Sequence, residues 1–315
     1  MTNSPPSIIL SEEDLDDPRT FEFAGGIVCL YSRRSPVSDR VNEDAAAAIS
    51  VCNDAGILMV ADGVGGMQVG NHASAVAVET VRQNLDELSQ MTEDEDLTVR
   101  LRVSILNGIE TANERICSMG ANAATTLCVV ELNGDRIRPY HVGDSTILLC
   151  GQRGRLHWQS IAHSPLGYAV EAGVMEESDA MLHPDRHIVS NVVGCREMRI
   201  DVGPPLTMAP RDTLLLCSDG LSDNLSTEEI IQVIRHGDLT DAVRQLVAET
   251  TRRMIRTPDA SDTPSKPDDL TIVAYRRLPT FAGSESVAAA VAASNDTGTK
   301  DTGSEPAPGE VSGAA

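Results

Sequence analysis

Leu58-Met59-Val60-Ala61-Asp62-Gly63-Val64-Gly65-Gly66 is the stretch whose reading decides the fold. Its apolar residues predict a buried strand, an acid stands at the strand end, and glycines fill the turn. Such a turn lets backbone carbonyls come close to a cation. The same design returns at Leu214-Leu215-Leu216-Cys217-Ser218-Asp219-Gly220. A single Asp-Gly is ordinarily a solvated turn, so the question is whether other acids converge on these two.

Working outward, Phe23 to Tyr31 reads as a first strand, and Asn53-Asp54-Ala55-Gly56 as the turn of a hairpin joining 45–52 to 57–61. Beyond the glycines, His72 to Leu88 carries apolar residues every three to four positions, which predicts a helix. A second helix is expected from about Asp96 to Met119. Three short strands follow at 125–132, 137–142 and 145–150. Residues 151–190 suit a flap over a site, and 188–193 reads as a strand or a short helix. Then come a strand at 213–218, helices at 226–235 and 240–257, and a last strand at 269–275. Strands, two helices, strands, two helices and a strand do not alternate as a doubly wound sheet does. They predict an α+β sandwich of antiparallel sheets covered by helix pairs. Residues 1–20, Ser/Pro-rich and then acidic, are expected to be a flexible lead-in. The folded domain is expected over 21–278 and a disordered tail over 279–315.

Composition narrows the function. A net charge of -22 argues against nucleic acid as partner and suits divalent cations. The seven cysteines include no Cys-x-x-Cys, and most lie in apolar runs, which predicts free buried thiols in a reducing compartment. There is no basic, apolar leader and no long apolar run, so a cytoplasmic, membrane-free protein is expected; a monomer is also expected.

Acids recur at strand ends and turns: Glu43-Asp44, Asp62, Asp144, Asp219 with Asp223, and Asp268-Asp269. Without Cys or His in the same motifs they offer only oxygen, which selects Mg²⁺ or Mn²⁺ over zinc. Gathered in one pocket without a metal, these carboxylates would raise each other's pKa.

In order along about residues 21–277, the chain presents Arg40…Asn42-Glu43-Asp44, Ala61-Asp62-Gly63-Val64-Gly65-Gly66, Thr125-Thr126, His141-Val142-Gly143-Asp144-Ser145, Ser218-Asp219-Gly220-Leu221-Ser222-Asp223 and Pro267-Asp268-Asp269-Leu270-Thr271. This set resembles the motifs of the metal-dependent type 2C protein Ser/Thr phosphatases, bacterial branch. The resemblance implies a four-layer α-β-β-α sandwich with the metals at one end, between the sheets. It implies that Asp62 bridges two catalytic ions, that Gly63 gives its carbonyl to the first, and that Asp219 and Asp268 complete the second. Asp44 and Glu43 would hold metal-bound waters or ligate directly, with Asp269 beside them. Asp144, with Asp223, would take a third, weaker ion. A water between the two ions would attack phosphorus directly, and Arg40 would bind the phosphate oxygens through its planar fork.

Two departures stand out. The family's arginine usually lies five residues before the first acidic Asp; here position 39 is Asp and Arg40 is four before Asp44, so Arg33 or Arg34 is the alternative. Where some members carry a histidine after Asp-Gly, this chain has Val64, which leaves the proton donor open. His72 and His163 read as surface or packing residues. The implied substrates are phosphoserine and phosphothreonine proteins, products of a Ser/Thr kinase. The competing readings are a metal-binding pseudophosphatase acting as scaffold or sensor, and a dedicated phosphatase of an anti-sigma-factor antagonist.

Overall fold

The computed structural model describes residues 7–64, 69–86, 96–120, 122–256 and 263–279. In chain order the strands and helices are β1 (Ile8–Ser11), β2 (Arg19–Phe23), β3 (Gly26–Arg33), β4 (Asp44–Cys52), β5 (Ala55–Val64), α1 (Gly70–Asp86), α2 (Leu97–Met119), β6 (Ala124–Thr125), β7 (Leu127–Asn133), β8 (Arg136–Val142), β9 (Thr146–Cys150) and β10 (Leu156–Gln159). After these come α3 (Pro165–Glu171), α4 (Glu177–Leu182), β11 (Asp201–Val202), β12 (Leu206–Thr207), β13 (Thr213–Cys217), α5 (Asp219–Ser222), α6 (Thr227–Ile234), α7 (Leu239–Met254) and β14 (Leu270–Arg277).

They form two antiparallel sheets. One runs β1-β4-β5-β7-β8-β11, with β6 on β5 and β12 on β8; the other runs β10-β9-β13-β14-β3-β2. The pleat explains why β4 and β5 read as unbroken apolar runs. Ala45, Ala47, Ile57, Met59 and Ala61 face α1 and α2, while Ala46, Ala48, Leu58 and Val60 face the second sheet. Period-two alternation with both faces covered leaves no position for a polar residue until the strand ends. The second sheet packs β13, β14 and β3 against the first on one face and against α6 and α7 on the other. This is the α-β-β-α sandwich expected from the sequence. Helix ends are set by the chain's own caps. Asp96 caps α2, Asp238 caps α7, and Ser226 with Glu229 closes a capping box on α6.

Three local expectations are corrected. Residues 7–20 are no flexible lead-in: β1 pairs with β4, Leu10 is fully buried, and Leu15 N donates to Ser32 O. Burying one leucine is worth about 2 kcal/mol, which outweighs the polar composition around it. The first predicted strand begins later than expected, at Gly26, with Phe23 ending a strand before it. Ala24 and Gly25 have φ of 45° and 72° and split β2 from β3. The 188–193 segment forms neither strand nor helix, only a single bridge from Val193 to Thr125. The expected tail lies outside the described residues beyond Pro279. All seven cysteines are free; Cys52 and Cys117 are exposed rather than buried. Among the described residues no helix is long and apolar enough to cross a membrane.

Candidate active site

At one end of the sandwich the two sheets deliver acids toward each other. Asp44 begins β4 and lies directly across from Asp62 on β5. Both continue the series of side chains that faces the second sheet, which carries Ala46, Ala48, Leu58 and Val60. Like charges at directly paired positions destabilise a sheet, so this pairing is a local cost that needs a counter-charge. From the second sheet come Asp219, just after β13, and Asp268, just before β14.

Each acid is held by identifiable partners. Asp44 Oδ2 accepts from Ser218 Oγ at 2.7 Å, and its N–H donates to Asn42 Oδ1 at 3.0 Å. The Asp62 backbone is clamped by the two threonines. Its N–H donates to Thr126 Oγ1 at 3.0 Å, and its carbonyl accepts from Thr125 Oγ1 and Thr126 N, each at 2.8 Å. Thr125 and Thr126 are therefore positioning groups. Gly63 is a matter of space: a Cβ there would lie 2.3 Å from Gly70 O and 2.7 Å from Glu43 O. Gly220 is tighter still, since a Cβ would meet Asp269 O at 1.9 Å. Gly65 and Gly66 lie outside the described residues.

Asp269 has a role that the sequence reading did not resolve. Its Oδ1 accepts from Ser35 N at 2.7 Å and its Oδ2 from Glu43 N at 2.6 Å. One carboxylate thus closes both ends of the 35–43 loop, which carries Arg40. Glu43 in turn uses its carbonyl to accept from Gly63 N and Ser74 Oγ. Arg33 pairs with Asp16 and Arg34 with Asp14, whereas Arg40 is exposed and makes no ion pair among the described residues. Its charge is felt by Glu43.

The electrostatics are one-sided. Burial, and then Asp269, push the Asp44 carboxyl well above the usual range; burial, and then Asp44, do the same to Asp62. Asp62 keeps some surface open to solvent, yet enough protein surrounds its carboxylate for desolvation to lead. Burial followed by Asp219 raises Asp144 to about 8, Asp268 to about 7 and Asp223 to about 6. Burial also raises Glu43 and Asp269.

As the side chains stand, no three of the described His, Cys, Asp and Glu residues converge closely enough to hold an ion. Lys266 lies among three of the carboxylates instead: Asp219, Asp223 and Asp268. The donor set still fits a hard divalent cation. It is all oxygen, it is short of positive charge, and Asp219 Oδ1 is buried without a hydrogen-bond partner among the described residues.

Lys266 is the residue that sequence reasoning missed, and His163 is the packing residue it expected. His163 is buried. Its Nδ1 accepts from Gly143 N at 3.1 Å and from Asn191 Nδ2 at 2.8 Å, so Nε2 carries the proton and donates to Asp201 Oδ2 at 3.0 Å. It fixes the turn that carries Asp144 and has no nitrogen left for proton transfer. His72 is exposed on α1. Beside the acids opens a cleft of ≈ 510 Å³, lined by Asp144, Asp219 and Asp223 on one side and by Leu166, Val170 and Met181 on the other. The latter three belong to α3 and α4, so the predicted flap forms one wall of the cleft.

Known proteins share this architecture. The S. agalactiae serine/threonine phosphatase superposes with a TM-score of 0.66 at 26% identity, covering 79% of this chain and 98% of that one. The catalytic domain of the serine/threonine protein phosphatase PstP, solved in complex with two manganese ions, shares the fold at a TM-score of 0.61 and 23% identity, covering 80% of this chain and 98% of its own. In sequence, a putative protein phosphatase 2C-type of Streptococcus pyogenes is 31% identical over 189 residues, which is 56% of this chain and 72% of that protein. The fold is that of bacterial serine/threonine phosphatases. The sequence pattern of protein phosphatase 2C matches residues 34–261, and the chain belongs to that family.

Proposed function

We propose that this chain hydrolyses phosphoserine and phosphothreonine esters on proteins, with Mg²⁺ or Mn²⁺ as cofactor. Asp62, the Gly63 carbonyl, Asp219 and Asp268 are the groups that would hold two ions, with Asp44 beside them. Once bound, such ions polarise the phosphoryl oxygens and lower the pKa of a coordinated water. The chain's own residues do the rest. Arg40, which makes no ion pair among the described residues and sits on a loop closed by Asp269, would bind phosphate through its fork. Thr125 and Thr126 keep Asp62 from turning. The cleft walled by α3 and α4 offers apolar side chains to the peptide that bears the phosphate.

The observation that carries this reading is the in-register pairing of Asp44 with Asp62, opposed by Asp219 and Asp268 from the other sheet. A fold keeps so costly an arrangement where a cation is to be held. The test is release of phosphate from a phosphothreonine peptide, with and without Mn²⁺, by the wild type and by Asp62→Asn. Turnover that requires Mn²⁺ and falls at least about a thousandfold in the variant is expected. Absence of any metal-dependent turnover in the wild type would sink the enzyme reading and leave a scaffold.

A further inference from the structure

Of 25 basic residues in the chain, 23 are arginines; the two lysines are Lys266 and Lys300. Lys266 lies inside the acid cluster, its side chain 17% exposed. Its Nζ contacts Asp219 Oδ2 and lies 2.8 Å from Asp223 Oδ2 and 3.1 Å from Asp268 Oδ2.

The position of this lysine is built. Asn224, fully buried, donates from Nδ2 to Lys266 O at 2.8 Å and accepts at Oδ1 from Lys266 N at 2.9 Å. The Asn224 carbonyl is itself held by Arg253 Nη1, and Arg253 is paired with Glu229 and Glu249. The residue type is also apt. An ammonium is a compact charge with three donors, which suits oxygens from three separate carboxylates. A guanidinium fork suits the two oxygens of one. Asp219 is divided: Oδ2 faces the lysine, while Oδ1 is buried without a hydrogen-bond partner among the described residues and remains for an ion.

We infer that Lys266 is a resident cation standing where a third metal ion would otherwise bind, against Asp223. It supplies one positive charge at this face at any metal concentration. It also holds Asp219 and Asp268 in place by their Oδ2 atoms. The third ion expected from the sequence is thereby excluded, and the metal requirement reduces to the pair at Asp62. The inference rests on the metal-dependent reading above.

Two measurements test it, neither of which reads activity. Mn²⁺ stoichiometry is determined by equilibrium dialysis and elemental analysis for the wild type and for K266A, with a thermal melt of each to establish folding. About two ions per wild-type chain and about three per K266A chain are expected. Amine labelling with an acetylating reagent, read by mass spectrometry, then follows Lys266 in the Mn²⁺-loaded wild type, relative to the urea-unfolded chain. Labelling slowed at least about tenfold is expected for an ammonium held among three carboxylates. Equal stoichiometry in the two proteins would overturn the inference. So would a Lys266 that labels as fast with Mn²⁺ bound as when unfolded, because the ion would then have displaced it. Binding of no Mn²⁺ by either protein would remove the metal-dependent reading as well. If K266A fails to fold, the labelling of the wild type decides alone.

Discussion

Replacing Asp269 by Ala probes the link between the acid cluster and the 35–43 loop that carries Arg40. The change removes two acceptors at once, for Ser35 N at 2.7 Å and for Glu43 N at 2.6 Å. A hydrogen bond to a charged group contributes about 1.5–3 kcal/mol, so the gross loss is about 3–6 kcal/mol. Part is returned, because Asp269 is itself desolvated and its pKa is raised. Relief of that desolvation recovers about 1–2 kcal/mol, for a net destabilisation of about 2–4 kcal/mol. The functional loss has a distinct form. Both freed N–H groups bound the 35–43 loop, so Arg40 loses its anchor while Asp62, Asp219 and Asp268 keep theirs. KM for a phosphothreonine peptide should rise about 10- to 100-fold with a smaller change in kcat. Urea unfolding gives the first quantity and steady-state kinetics the second. A variant within about 0.5 kcal/mol of wild type would refute the clamp. A loss carried by kcat alone would refute the assignment of phosphate binding to this loop.

Two further outcomes are expected. In Gly220→Ala the new Cβ would fall 1.9 Å from Asp269 O, so the backbone at Asp268–Asp269 must shift. Mn²⁺ affinity, measured by titration calorimetry, should drop about 10- to 100-fold, and an unchanged affinity would contradict the packing described. His141 is fully enclosed; burial, and then His163, lower its pKa from 6.5 to about 4. Because the folded value lies below the unfolded one, its contribution is complete above about pH 6.5 and is lost as pH falls toward 4. At 1.36 kcal/mol per unit, the wild type should lose about 2–3 kcal/mol between pH 7 and 4.5 relative to His141→Gln. Parallel unfolding profiles for the two proteins would rule this out.

Much of the fold was legible because the decisive strands bury both faces. Ala45–Ile49 and Ile57–Ala61 admit no polar residue, so each run and the acid ending it stand out in the sequence. Asp62 and Asp219 are visible for a second reason: the glycine that follows each is required by backbone packed against it. What escaped depended on partners far along the chain. β1 is four residues in an acidic, Ser/Pro-rich stretch, and only its pairing with β4 makes it a strand. Ala24 occupies the left-handed region, where alanine gives no warning of a turn. The two-residue strands β11 and β12 have no period of their own to read. Lys266 precedes Pro267 in what reads as a turn, and only its contacts with Asp219, Asp223 and Asp268 show where its side chain is aimed. Asp269 looked like a companion of Asp268, but its two oxygens face the backbone of another loop.

The pairing of β3 with β14 has a consequence in time. Strand 14 lies between β3 and β13, and its Tyr275 donates to Ala24 O across 251 residues of sequence. Until it emerges, the β2–β3 hairpin has nothing joining it to β13, and Asp268 is missing from the acids. At ribosomal speeds of about 5–20 residues per second, these 251 residues take on the order of 10–50 s to make. During that interval the first sheet can assemble with α1 and α2, but the acid cluster around Asp62 stays one carboxylate short. The acid cluster is therefore incomplete until β14 is in place, and the long-range pairing that slows folding also times the completion of the site.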